Sequence, residues 1–277
     1  MTRDPADPPV RSVIAYLALT FGLAWGLAGL FIAFPETIEA LFGEVSASHP
    51  LFILAVYAPA ISAFGLVLWH GGVRGLGRFL SRLFLWRAPP VWYLLLIVGL
   101  PAVSFLAAAM TGTLTREALA QPPIGQLLGL VAFMLILGPV EEFGWRGYAT
   151  PLLQRRMAPF WAGLVVGVFW AVWHVPAFYL GGTPQSGFDL IPFMIGAVAV
   201  SVILTGFFNA ARGSILVAVL FHWQLNMPMW PDAQPLDMYL FVPLAALVVW
   251  LDRRAMFSRK GAATEVIPQP AALRGES

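Results

Sequence analysis

The sequence predicts an all-α fold: a polytopic membrane bundle of about eight transmembrane helices, with both termini in the cytoplasm. Three observations predict it. Of the 277 residues, 59% are hydrophobic and only 11% are charged, far from the mix of a soluble domain. Apolar stretches of about 20 residues recur along the chain, the length that crosses a bilayer as a helix. The basic residues fall in alternate connections, the pattern that sets orientation in a membrane.

The first stretch, SVIAYLALTFGLAWGLAGLFIAF (12–34), is too long for a signal-peptide core and lacks a small-residue cleavage site. It reads as a retained span. Further spans are expected at 51–69, 92–110, 125–150, 159–179, 190–209, 213–229 and 236–251. Arg3 and Arg11 precede the first, Arg74, Arg78, Arg82 and Arg87 come after the second, and Arg155 and Arg156 after the fourth. Arg212 precedes the seventh, and Arg253, Arg254, Arg259 and Lys260 come after the last. The opposite connections hold Arg116 but also Glu36, Glu39, Glu44, Asp189, Asp232 and Asp237. The positive-inside rule then places both termini in the cytoplasm of a multi-pass protein, in a bacterial inner or plasma membrane on this pattern.

The chain divides into a cytoplasmic N-terminal tail (1–11), N-terminal transmembrane helices (12–124) with a basic cytoplasmic loop (70–91), and a core (125–230). A last transmembrane helix (236–251) and a cytoplasmic C-terminal tail (252–277) complete it. Within the loop, GVRGLGRFLSRLFLW (72–86) spaces Arg74, Arg78 and Arg82 four apart beside apolar residues. That spacing suits a helix lying on an anionic membrane surface. Gly22/Gly26 and Gly163/Gly167 are small-xxx-small pairs, which favour close helix packing. The tail after residue 258 reads as a disordered end. With no cysteine, the chain has no disulfide, no thiol nucleophile, no lipid-modified cysteine and no thiolate zinc site. A nucleic-acid partner is not expected, and the sequence names no oligomeric state.

Ionisable groups inside spans are costly and usually face a bundle interior or a hydrated cavity. Here they cluster. The fourth span carries Glu141, Glu142 and Arg146, the fifth His174, and the seventh His222 and Asn226. Counting along each helix from its basic or proline marker puts Glu141 and Asn226 at roughly 21 Å, His174 at about 22 Å and His222 at roughly 15 Å. The four groups can therefore meet. Glu142 and Arg146 are one turn apart, as are His222 and Asn226. Pro139, Pro151, Pro176 and Pro228 flank the set, and irregular backbone at membrane depth is tolerated where it is protein-buried or lines water. The cluster reads as the wall of a hydrated pocket opening toward the cytoplasm.

Each residue alone has a plainer role, as a packing histidine, a structural ion pair or interhelical glue. Their conjunction at one depth points to chemistry. No Gly-x-Ser-x-Gly elbow and no His-Glu-x-x-His zinc helix is present. Water activation remains: a carboxylate beside an imidazole can deprotonate water, while a second histidine and an amide can stabilise an oxyanion. Alternatively Glu141, His174 and His222 could ligate Zn2+ or another divalent ion whose bound water is the nucleophile. Either arrangement hydrolyses an amide.

EEFGWR (141–146) matches the Glu-Glu-x-x-x-Arg motif of the CPBP family, and HWQLN (222–226) matches its His-x-x-x-Asn motif. WAVWH (170–174) stands where that family has Phe-x-x-x-His. The chain thus resembles, over about residues 125–230, the CAAX-processing and bacteriocin-processing intramembrane proteases. This family is also called Abi and is related to the eukaryotic Ras-converting prenyl endopeptidase. The resemblance implies an intramembrane endopeptidase, a glutamic or metalloprotease, acting on a membrane-associated protein or peptide. By position, Glu141 resembles the catalytic glutamate and His174 its partner. His222 and Asn226 resemble the oxyanion stabilisers, and Glu142 and Arg146 the supporting positions. No cofactor is required on the glutamate mechanism. Trp170 replaces the usual Phe, a change expected to alter packing only. Two other readings stay open: a proton-coupled transporter using Glu141 and His174 as a relay, and a catalytically silent immunity or scaffold protein of the same fold.

Overall fold

In the computed structural model, residues 5–117 and 119–269 are described; Arg3 and the end of the tail (270–277) lie outside the described residues. The described residues contain helices and no strand. The principal ones are α1 (Ser12–Ala33), α2 (Pro35–Phe42), α3 (Pro50–Val56), α4 (Ala58–Leu80), α5 (Pro90–Thr111) and α6 (Ile124–Gln154). They are followed by α7 (Pro159–Trp173), α8 (Leu190–Ala210), α9 (Ile215–Leu225) and α10 (Leu236–Leu251). Each predicted apolar segment is helical. Among the described residues, five helices are long and apolar enough to cross a membrane, or six if the bent pair formed by α3 and α4 is one span. This is a multi-pass membrane protein. The seventh segment is shorter than expected, a helix of 11 residues, whereas the eighth is a helix of 16 residues over the expected bounds.

Proline explains the irregularities. It removes a donor and crowds the carbonyl four residues back, so a helix carrying it widens or bends. Turns of π-helix occupy Leu95–Gly99 and Trp145–Ala149, each ending two residues before a proline, Pro101 and Pro151. In α6 the carbonyl that Pro151 frees is that of Gly147, and Arg82 Nη1 donates to it at 2.7 Å. Arg82 also donates from Nε to the Gly213 carbonyl at 2.8 Å and from Nη1 to the Val266 carbonyl at 3.2 Å. Its guanidinium lies between the rings of Phe79 and Phe208. The stretch around residues 72–84 is helical, but Arg82 does not face outward from it. The arginine turns inward because three carbonyls of irregular backbone need a donor there.

The small-residue pairs behave differently. A Cβ at Gly163 or Gly167 would lie 3.2 Å from Val202 Cα or 2.9 Å from Val198 Cα, so this pair lets α7 and α8 touch backbone to backbone. Ser201 Oγ seals the contact by donating to the Gly163 carbonyl at 2.8 Å. Gly22 and Gly26 face open space and pack against nothing.

The tail is also corrected. Residues 262–269 run back across the bundle end and are ordered by side-chain bonds. Gln154 donates to the Ala263 carbonyl, Arg155 to Thr264, and Asp7 accepts the amides of Val266 and Ile267. Asp7 also pairs with Arg155. Burial holds the Asp7 carboxyl above the ordinary carboxylate range, against the pull of the Ile267 amide and the Arg155 charge. Val266 and Ile267 are fully buried. A low-hydrophobicity composition hides two apolar anchors. Ile267→Ala should cost about 2–4 kcal/mol, as for other large-to-small core changes, with activity per folded molecule retained. Detergent melting measures it; an unchanged midpoint would mean the segment is not packed this way.

Candidate active site

α6 reaches the site through a break. Gly138 and Pro139 interrupt its helix, a 3-10 turn covers Pro139–Glu141, and Glu142 begins the next α-helical turn. α7 ends at Trp173, and His174 caps it immediately before Pro176 stops the helix. α9 starts on the Ser214 hydroxyl, which accepts the Val217 amide at 3.1 Å. It ends with His222 in the last turn and Asn226 as the C-cap residue. The three motifs thus lie at helix breaks or ends, where side chains can converge without a continuous helix wall between them.

They do converge. Glu141, His174, His222 and Asn226 line one cavity of about 410 Å³. Glu142 and Arg146 stand behind it, fully buried. The Arg146 guanidinium donates to both Glu142 oxygens, at 3.2 and 3.1 Å, and the Glu142 carboxylate faces His222 Nδ1 at 2.7 Å. Glu142 therefore does more than pair with Arg146. A carboxylate only accepts, so Nδ1 carries the proton and His222 Nε2 is left toward Gly138. A Cβ at Gly138 would lie 2.9 Å from that Nε2 and closer still to Asn226 Nδ2. Only a glycine leaves room for the two tips there.

Trp170 joins the remaining pair. Its indole N–H donates to Glu141 Oε2 at 2.7 Å, and its backbone carbonyl bonds His174 Nδ1 at 2.8 Å. A carbonyl accepts only, so His174 Nδ1 is protonated and Nε2 is the free basic atom. Glu141 and His174 share the wall with no hydrogen bond between them among the described residues; Trp170 links them. The expectation that tryptophan alters packing only is corrected here, because phenylalanine has no donor to offer. The residue type carries the signal. A donor-bearing aromatic one turn before a motif histidine was visible in the sequence, as was a glycine three residues before Glu141.

The mouth is corrected as well. The cavity runs from Glu141 toward Pro184, Gln185 and Asp232, in the connections at the end opposite Asp7, Arg155 and Ile267. Counting residues along a helix gives depth but not which end is open, which the folding of the connections decides. Among the described residues, no three His, Asp or Glu side chains form a group able to hold a metal ion. Glu141 and both histidines each have one atom already bonded within the protein.

Known proteins match this region. Residues 123–228 match the family model described as type II CAAX prenyl endopeptidase Rce1-like. Over this segment the chain is similar to that family. The match brackets every residue of the cavity's polar wall taken from α6, α7 and α9. A curated relative, CAAX prenyl protease 2 of Methanococcus maripaludis, is 29% identical over 143 residues, which cover 47% of this chain and 53% of that protein. The chain thus matches about half the length of this relative. That family model is one of peptidases, hydrolases of peptide bonds, and this chain sets a carboxylate, two imidazoles and an amide around one cavity.

Proposed function

We propose that the protein is an intramembrane endopeptidase that cleaves a peptide bond of a membrane-associated protein or peptide, CAAX-type in character, by activated water. The observation that carries this reading is the convergence of Glu141, His174, His222 and Asn226 on one cavity. In the reaction, Glu141 Oε1 takes a proton from a water while the water oxygen attacks the scissile carbonyl carbon. The carbonyl π electrons move to oxygen, and the Asn226 amide N–H donates to that oxyanion beside His222. Collapse re-forms the carbonyl and breaks the C–N bond. The proton held by Glu141 passes to the leaving nitrogen, with His174 Nε2 positioned to relay it. A transporter would normally carry repeated halves with paired broken helices; the breaks here gather instead on one carboxylate and amide set.

Asn226→Ala tests the oxyanion role. Turnover on a labelled peptide should fall 10²–10³-fold, about 3 kcal/mol, with KM little changed. Unchanged turnover with weakened binding would move Asn226 to substrate positioning. The same assay run with chelator should retain activity. Loss that Zn2+ restores would shift the reaction to a metal-bound water.

Orientation is part of the proposal. Both termini are cytoplasmic, and the connections at 35–50 and 230–235 lie outside, in a cell membrane. The substrate then reaches the cavity from the membrane or its outer side. The chain has no cysteine of its own, so single cysteines at Glu39 and Asp232 can be labelled with an impermeant maleimide. Labelling in intact cells is expected; labelling from the cytoplasmic side alone would invert the topology.

A further inference from the structure

One side chain is in contact with Glu141, Arg146, His174 and His222 at once. Trp170 lies on the inner face of α7 and is almost fully buried. Its indole N–H meets Glu141 Oε2 at 2.7 Å, and the Arg146 guanidinium carbon lies 5.1 Å from its ring centre. Its ring also stands edge-on to His174 and His222, with centroids 5.4 and 5.5 Å away. Where the resembled motif has phenylalanine, the Glu141 oxygen would have no such donor. The difference is a single N–H on a residue otherwise similar in character.

A carboxylate that acts as base must present one oxygen to the water at a fixed angle, and small misplacements of a reacting group are expensive in rate. The Glu141 side chain has three rotatable bonds. Held at Oε2 by a donor that never gives up its proton, it can turn only Oε1 to the cavity. We propose that Trp170 is a positioning residue, whose indole N–H locks Glu141 in the orientation that activates water. Its ring packing and its backbone bond to His174 are separate contributions. This inference rests on the reading of Glu141 as the base.

The N–H can be removed without the ring. Trp170→Phe keeps an aromatic ring and the carbonyl that orients His174, and loses only the donor and part of the ring volume. Benzothienylalanine introduced at 170 replaces the N–H by sulfur within the same bicyclic shape, so it controls for volume. Both forms and Glu141→Gln are purified in detergent, melted, and assayed on one labelled peptide. Both Trp170 forms are expected to lose about tenfold to a hundredfold in kcat with KM within about twofold, and benzothienylalanine is expected to keep the wild-type melting midpoint. An azatryptophan at the same position, which retains the N–H, should turn over near the wild-type rate. If the benzothienylalanine form cleaves at the wild-type rate while Glu141→Gln has lost most of its activity, the positioning role is wrong and the base assignment survives. If Glu141→Gln itself cleaves at the wild-type rate, the base assignment fails and this inference falls with it.

Discussion

Glu141→Gln will yield a folded protein that has lost most of its cleavage activity. The amide keeps the size and shape of the carboxylate, and its oxygen can still accept from the Trp170 indole, whose bond at 2.7 Å holds the position. What it cannot do is take a proton from water. General-base catalysis contributes about 10²–10⁴ in rate, and the adjacent carboxylate is not free to substitute. The neighbouring Glu142 is committed to Arg146 and His222 and does not line the cavity. Turnover should therefore fall by about 10²–10⁴, with the melting midpoint in detergent kept close to wild type. Cleavage at the wild-type rate would end the proposed mechanism, whatever the family relationship.

Glu142→Gln should do the opposite, damaging the fold first. Its carboxylate and the Arg146 guanidinium are both completely buried, and removing one partner of a buried pair costs about 3–5 kcal/mol because the other charge is left uncompensated. The substitution also weakens the acceptor on which His222 Nδ1 rests at 2.7 Å, so turnover should drop in the molecules that remain folded. The two effects separate in a double variant. Adding Arg146→Met removes the stranded charge and should recover most of the melting midpoint, since replacing a buried pair with apolar side chains is often neutral. Activity should not return with it, because His222 Nδ1 then rests on a neutral amide oxygen, a weaker acceptor than the carboxylate. A Glu142→Gln protein that melts like wild type would show the pair to be dispensable for the fold. Full activity in the double variant would free His222 from any need of Glu142.

These neighbouring glutamates show where the sequence is legible. Glu141 and Glu142 differ by one position, hence by about 100° around a helix. Glu142 shares a face with Arg146, so the ion pair could be read from spacing alone. That Glu142 also holds His222, 80 residues along the chain, could not be. The partner arrives on α9, and only packing brings that helix against α6. Trp170 is a similar case. Its spacing to His174 was evident, but an indole N–H is a donor to any acceptor in reach, and only the tertiary arrangement supplies Glu141. Arg82 went the other way. Its four-residue spacing within a basic loop suits a surface helix, yet Pro151 frees the Gly147 carbonyl and draws the arginine inside.

By itself the sequence determined the features that composition, length and local rules dictate. The long apolar segments had to become helices, because a bilayer leaves no other way to satisfy the backbone of a single segment. The few charges within the spans had to face inward, and Pro139 and Pro176 had to break or end the helices they meet. The depth of Glu141, His174, His222 and Asn226 came from counting along a regular rise. The tertiary structure decided which end of the cavity is open, which oxygen of Glu141 is held, and where residues 262–269 lie. Those outcomes depend on non-local contacts, in which a donor meets whichever acceptor the fold sets beside it, and helical periodicity carries no record of that choice.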